Sequence, residues 1–383
     1  MLSQAIIFIP GATGTQLEDQ NTFGHDILWR DKRYNVNPIE NLHLTQNYGT
    51  GYFDSKIDTL IAPGSLEWLV YGGIIRRLHN KIDKPVYLFN YDWRMPNKQT
   101  GKKLHQFIDM LKKKSIAAKK DNTNPKVKIE EIKKVDIIIH SQGNHVLRHY
   151  INDQGFGCIN KAIFVAPPFL GSLEMVQAML CGQGMWWSKE ETRKIVRTFP
   201  GSFELLPNYK CAAQKNKKPI DFYNYKDWQQ SYGVVDGKAK FTKLLKAAKT
   251  ANDAIHTGWL SKLTQAEKDN ILVIIKDGYD TMQKVDVADS EQWINEVNFG
   301  NPANTNIHGD KIVPHVSSTV YAGTLRTIMV KQAPWVDDKT HAFILTSGRV
   351  KRLITRFLEG RSLAMPGKHI EEVTTPYKVT CNE

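Results

Sequence analysis

The run Val135-Asp136-Ile137-Ile138-Ile139-His140-Ser141-Gln142-Gly143-Asn144 constrains this chain more than any other stretch. Apolar residues lead into a serine, a glycine stands two residues later, and His145 to Ile151 then carries apolar residues at helical spacing. Strand, sharp turn and helix in that order lift a hydroxyl to the apex of the turn, which is the shape of a nucleophile elbow. Small residues two positions either side of the serine let strand and helix approach, as in Gly-x-Ser-x-Gly. Gly143 meets the second condition, but Ile139 stands at the first, so crowding at the turn is expected.

The segments around this run alternate as in a parallel α/β sheet. Ala5-Ile6-Ile7-Phe8-Ile9 is a short continuous apolar run, which suits a parallel strand covered on both faces. It breaks at Pro10-Gly11-Ala12-Thr13-Gly14-Thr15, a glycine-bearing loop at a strand's carboxyl end. Residues 18–52 are polar and turn-rich, with Trp29 and Tyr34 as isolated aromatics, and read as a flap or lid. Leu66, Leu69, Val70, Ile74, Ile75 and Leu78 keep helical spacing. Val86 to Phe89 is a strand followed by the loop Asn90-Tyr91-Asp92-Trp93-Arg94, and Leu104, Phe107, Ile108 and Leu111 mark a helix. Residues 115–134 read as a Lys-rich surface connection into the elbow strand, and Lys161 to Val165 is the next strand.

From residue 173 the alternation stops. Met175, Met179, Met185, Trp186 and Trp187 cluster, and Phe199 to Pro207 is apolar and turn-rich. Strands resume at Ile271 to Ile275 and Leu325 to Val330, and His341 opens a last helix carried by Leu345, Val350, Leu353, Ile354 and Phe357. The expected fold class is therefore α/β, with a mostly parallel central sheet flanked by helices. Residues 1–172 and 266–361 would form that core, 173–265 a cap or lid insertion, and 362–383 a polar tail.

Composition narrows the partners. No apolar run approaches the ~20 residues that span a membrane. Met1 to Ala5 passes straight into a strand, without the basic and apolar regions of a signal peptide. The expected location is thus cytoplasmic, with peripheral membrane contact or signal-independent export as routes to a target elsewhere. Cys158, Cys181, Cys211 and Cys381 match neither a zinc pattern nor a dense disulfide framework, so no metal or cofactor is expected. A net charge of +13 suits an anionic partner, nucleic acid or an anionic lipid surface, or simply a soluble surface rich in lysine. No nucleic-acid-binding motif accompanies it. Lys238 to Lys249 puts Phe241, Leu244, Leu245 and Ala248 on one helical face and lysines elsewhere, which suits an anionic lipid surface or a helix packed on the cap with its lysines in water.

An elbow serine needs an acid and a histidine after it in the order Ser, Asp/Glu, His. Asp277, Asp280 and Asp310 are the candidate acids. Among histidines, His341 follows the penultimate strand, and His308, His315 and His369 are its rivals. The loop at Gly11 to Gly14 can turn backbone N–H groups toward the serine, as an oxyanion hole requires.

Five blocks, in order, give the chain a specific likeness. They are Ile9-Pro10-Gly11-Ala12-Thr13-Gly14-Thr15-Gln16-Leu17-Glu18, Asn90-Tyr91-Asp92-Trp93-Arg94, His140-Ser141-Gln142-Gly143-Asn144, Ala166-Pro167-Pro168-Phe169-Leu170-Gly171-Ser172, and Gly309-Asp310 with His341. In these the sequence resembles the lecithin:cholesterol acyltransferase family, which includes lysosomal phospholipase A2 and phospholipid:diacylglycerol acyltransferases. The resemblance implies an α/β-hydrolase with Ser141 as nucleophile, Asp310 as acid and His341 as base. It also implies an oxyanion hole from the N–H groups of Gln142 and of Ala12 or Thr13. Trp29 in the flap and Trp186 and Trp187 in the cap are the expected lid and substrate contacts. Family members of secretory origin pin the lid with cysteines, and no comparable pair lies near residues 18–52.

The implied chemistry is attack of Ser141 on a lipid or acyl ester to give an acyl-enzyme, resolved by water or by an acceptor alcohol. The competing reading is a non-catalytic, hydrolase-like protein that binds a membrane or partner, its elbow spoiled by Ile139.

Overall fold

A computed structural model of the chain describes residues 4–20, 26–29, 42, 44–47, 51–54, 60–122, 130–182, 189–210, 213–215, 218–228, 238–287, 305–306, 308–332, 340–365 and 369–379. Its centre is a seven-stranded sheet of β1 (Gln4–Ile9), β2 (Val86–Leu88), β3 (Lys134–His140), β4 (Ile159–Val165), β5 (Ile271–Asp277), β6 (Arg326–Lys331) and β7 (Ile370–Val373). The strands lie in the order β7-β6-β5-β4-β3-β1-β2. All neighbours are parallel except β7, which runs antiparallel to β6.

The continuous apolar runs follow from cover on both faces. On one face Ile7, Ile9, Ile137, Ile139 and Phe164 share a core with Leu104 and Ile108 of α2 (Asn97–Asp121) and with Val146 and Leu147 of α3 (Gly143–Gln154). The alternate residues Ile6, Phe8, Ile138, Ile163 and Val165 pack on the other face. There they meet Ile74 and Leu78 of α1 (Trp68–Lys81), and Val350, Leu353 and Ile354 of the last helix, Gly348–Leu358. After β1 the chain goes one way to the β2 edge and then returns past β1 to β3. The carboxyl ends of β1 and β3 thus flank the point where strand order reverses, where open α/β sheets form their ligand crevices.

Between β4 and β5 the chain runs through the helices Leu173–Cys181, Lys189–Val196, Pro200–Phe203 and Lys238–His256. Phe199, Phe203, Phe241 and Leu244 join the same core as β1 and β3, so this stretch shares the sheet's apolar interior.

Several segments differ from the sequence reading. The segment read as a polar tail returns to the sheet, because Ile370 and Val373 turn inward while Glu371 and Glu372 face solvent and pair with Lys331 and Arg326. Two adjacent glutamates hide the alternation, but charge suits an exposed sheet edge. In the region read as a flap, Thr15–Asp19 pairs with both Asp26–Trp29 and Ile61–Leu66, and Leu44–Asn47 pairs with Gly51–Asp54. Helix α2 continues to Asp121 through residues read as a connection, since lysine and alanine are good helix formers. The last helix is split: His341–Thr346 is a 3₁₀ turn, and Ser347 caps the α-helix that follows. Among the described residues no helix is long and apolar enough to cross a membrane.

Candidate active site

Ser141 follows β3 directly, with φ at +50°, while its N–H donates to the Val165 carbonyl at 3.0 Å. Such a backbone conformation costs roughly 1–3 kcal/mol for a non-glycine residue and is held only by its surroundings. Two glycines make room for it. A Cβ on Gly143 would stand 2.7 Å from Cγ2 of Ile139, so the missing side chain of Gly143 absorbs the bulk of the isoleucine. The crowding expected at Ile139 therefore does not prevent the turn. A Cβ on Gly11 would meet Cβ of Ser141 at 2.7 Å, so only glycine lets the loop after β1 lie against the elbow.

His341 Nε2 lies 2.8 Å from Ser141 Oγ, and His341 Nδ1 lies 2.7 Å from Asp310 Oδ2. The second carboxylate oxygen of Asp310 accepts the N–H groups of Ile312 at 3.1 Å and Val313 at 2.8 Å. The N–H of His341 donates to the Asp310 carbonyl at 2.9 Å, so backbone and side chain both join the two residues. With Asp310 accepting from Nδ1–H, the lone pair of Nε2 faces the serine hydroxyl, the tautomer a general base requires. The rival histidines are elsewhere: His308 and His315 face Asp277, 3.6 Å away in each case.

The loop after β1 is a β-turn closed by Gly14 N–H to the Gly11 carbonyl, with Thr13 at φ +61°. That bond leaves the N–H groups of Ala12 and Thr13 outside the turn, and both residues line one cavity with Ser141, Gln142 and His341. Gln142 is held by its side-chain amide, which donates to the Trp93 carbonyl at 3.1 Å and to Asn97 Oδ1 at 3.3 Å.

Two residues given no role by the sequence reading tie the parts together. The Gly11 N–H donates to Tyr71 Oη at 3.1 Å, and the Tyr71 hydroxyl lies 2.9 Å from His140 Nδ1. His140 Nε2 donates to the His341 carbonyl at 3.1 Å. That last bond puts the imidazole proton on Nε2, so Nδ1 accepts from Tyr71. A single chain of hydrogen bonds thus joins the loop after β1, the residue before the serine and the backbone of His341. Burial, with His341 close by, pushes His140 well below the usual histidine range, and burial raises Tyr71. Both remain neutral near pH 7, as the hydrogen-bond pattern needs.

The cavity beside Ser141 holds about 300 Å³. Trp29, Trp93 and Phe199 give it aromatic walls, and Met175, Ala178 and Val196 line it from the stretch read as a cap. Trp29 is buried, stacks edge-on against Trp93 at 5.1 Å and donates Nε1–H to the Thr13 carbonyl at 2.8 Å. Trp186 and Trp187 lie outside the described residues. Glu174 also lines the cavity, and burial pushes it up to about 7 against the pull of Lys311 and His341. Asp92 and Arg94, on either side of Trp93, are scaffolding. Arg94 makes a two-pronged pair with Asp92 and donates to the Leu42 carbonyl at 2.8 Å, while its own carbonyl accepts from Gly201.

The family model for lecithin:cholesterol acyltransferase matches residues 48–243, just over half of the chain, including the Asp92 block, the elbow and most of the stretch read as a cap. The chain belongs to the lecithin:cholesterol acyltransferase family. The match ends before Asp310 and His341, so those two lie beyond what this family's pattern covers here. Among solved structures, a chain of the Tle4–Tli4 complex shares the fold, with a TM-score of 0.63 at 15% identity over 94% of this chain and 98% of that one. Phospholipase PlaB from Legionella pneumophila overlaps more loosely, with a TM-score of 0.36 at 12% identity over 83% of this chain and 46% of that one. No curated protein matches the sequence.

Proposed function

We propose that this member of the lecithin:cholesterol acyltransferase family is a serine-dependent lipid ester hydrolase or O-acyltransferase that works through an acyl-enzyme on Ser141. The observation that carries the reading is the hydrogen-bonded series Ser141, His341, Asp310 at the mouth of a largely apolar cavity. In this reading His341 Nε2 takes the serine proton as Oγ bonds to the ester carbonyl carbon. Asp310 holds the tautomer and stabilises the imidazolium. The N–H groups of Gln142 and of Ala12 or Thr13 receive the developing oxyanion. Collapse breaks the ester C–O bond, and His341 returns the proton to the departing alcohol or lysolipid. Water or an acceptor alcohol then attacks the acyl-enzyme by the same steps in reverse.

The proposed cap, residues 173–265, would cover the acyl chain through Met175, Val196 and Phe199. Trp68 and Leu69 are exposed and sit between the cavity residues Glu67 and Val70, and Phe343 is both exposed and cavity-lining. These apolar side chains suit an enzyme that draws its substrate from a lipid surface. The non-catalytic alternative depends on a spoiled elbow, and the room that Gly143 leaves for Ile139 supports the catalytic reading over it. The test is incubation of the purified chain with phospholipid vesicles, with and without a long-chain alcohol, followed by mass spectrometry of the lipids. Fatty acid and lysolipid are expected from water, and a new ester from the alcohol, all absent with Ser141→Ala. Equal product from wild type and Ser141→Ala would overturn the reading.

A further inference from the structure

We propose that Asp277, His308 and His315 form a binding site for a divalent transition-metal ion, with zinc as the reference case, which pins the loop that carries Asp310. Among the described residues these three are the only cluster of His, Cys, Asp or Glu side chains whose ligand atoms all lie within 4.8 Å of one another. One carboxylate oxygen, Asp277 Oδ1, stands 3.6 Å from His308 Nδ1 and 3.6 Å from His315 Nε2. That separation is too long for a hydrogen bond. It is the separation of two ligands on one ion: bonds of about 2.1 Å meeting at roughly 118° span it. Two imidazoles and a carboxylate are borderline donors that suit zinc and its first-row neighbours better than calcium or magnesium.

A second observation points the same way. Asp277 Oδ1 is a buried atom without a hydrogen-bond partner, and it faces His315, which is only 1% exposed. A buried carboxylate oxygen that lacks a partner is costly. A cation beside Asp277 removes that cost. Without an ion, His315 Nε2 would keep its hydrogen bond to the Lys276 carbonyl, 3.1 Å away. On binding, the ion takes the place of that proton, which moves to Nδ1, so the imidazole stays neutral. The Lys276 carbonyl oxygen, 3.1 Å from that nitrogen, would then be a fourth ligand. The ring of Tyr377 packs on both histidines, with centroids 5.6 Å from His308 and 4.9 Å from His315.

The placement explains what an ion would do. Asp277 ends β5, and His308 and His315 bracket the loop whose middle holds Asp310. Its neck is already closed by His315 N–H to the His308 carbonyl at 3.3 Å. An ion would fasten both ends of this loop to the sheet, without touching the reacting atoms, so its binding does not depend on the catalytic reading.

The experiment uses untagged, chelator-stripped full-length protein titrated with Co²⁺ and followed by visible absorption, with Zn²⁺ counted by elemental analysis after gel filtration. One equivalent of either ion is expected on wild type and on Ser141→Ala, with a rise in thermal midpoint. His308→Ala, at a half-exposed position that should fold, and Asp277→Asn should each weaken binding by at least ~10-fold. His105→Ala, which removes a surface histidine 3.5 Å from Asp109, should bind as wild type does. A wild type that keeps no ion, or a His308→Ala protein that keeps as much as wild type, would overturn the proposal. So would equal loss on His105→Ala, which marks unspecific surface binding.

Discussion

Removing one oxygen atom from Tyr71 ought to damage both stability and turnover. Tyr71→Phe keeps the ring, which packs edge-on against Phe8 at 5.1 Å and His140 at 5.6 Å, so the change reports the hydroxyl alone. The hydroxyl accepts the Gly11 N–H and donates to His140 Nδ1, and all three residues are enclosed. A buried donor or acceptor left without its partner costs about 1–3 kcal/mol, so two of them give about 2–6 kcal/mol in total. Part of this should appear in urea unfolding. Part should appear in kcat, because Gly11 precedes the proposed oxyanion donors and His140 holds the backbone of His341. A loss of about 1.4–2.8 kcal/mol from the transition state is a 10- to 100-fold fall in kcat. Kinetics on a soluble p-nitrophenyl ester should show that fall with little change in KM. If Tyr71→Phe unfolds within about 0.5 kcal/mol of wild type and turns over at the same rate, the chain of hydrogen bonds does not hold the site.

Asp310→Asn and His341→Ala should each cut turnover by about 10⁴-fold, and adding either to Ser141→Ala should cost little more, because such residues act as a unit; the same changes at Asp277 and His315 are the controls, and a larger loss there would reassign the acid or base. Glu174→Gln should stabilise the protein at alkaline pH. The folded-state carboxyl is raised from 4.5 to about 7, so the unfolded chain ionises first, and wild type loses stability as pH climbs through that window. The gain on substitution is absent below pH 4.5 and reaches up to about 3 kcal/mol by pH 8; urea unfolding that shows the larger gain at the acid end would refute the sign. Lys240, Lys243 and Lys246 changed together to Glu should weaken binding to anionic vesicles, by about 1 kcal/mol per residue near the surface and less at high salt, while hydrolysis of a soluble short-chain ester holds. A parallel fall on both would mean that the helix serves the fold.

The parallel core was legible because strands buried on both faces are written as unbroken apolar runs, as at Ala5 to Ile9 and Ile271 to Ile275. The elbow was legible for the same reason, as an apolar run stopped by Ser-x-Gly. What the residues alone left open was the choice among Asp277, Asp280 and Asp310, since spacing does not say which carboxylate a loop turns inward; the family likeness made that choice. Edge strand Ile370–Val373 was hidden because half of its side chains face water and carry charge. Tyr71 and His140 were hidden in the sequence for another reason. Tyr71 fits the apolar face of a helix, and its hydroxyl partner is 69 residues away in sequence. The cluster at Asp277, His308 and His315 likewise has no local spacing, since two of its members flank a loop and the third ends a strand. Ile139 shows the converse: it departs from the motif, yet the turn forms, because the missing side chain of Gly143 supplies the space.

The central claim is that Ser141 carries an activated hydroxyl, and covalent capture tests it most directly. The full-length protein would be treated with an alkyl fluorophosphonate, and its intact mass and peptide map recorded. One adduct on the peptide that contains Ser141 is expected for wild type, abolished in Ser141→Ala and slowed by about 10³-fold or more in His341→Ala. An adduct on another serine, or lipid turnover by wild-type protein that leaves Ser141 unlabelled, would contradict the account.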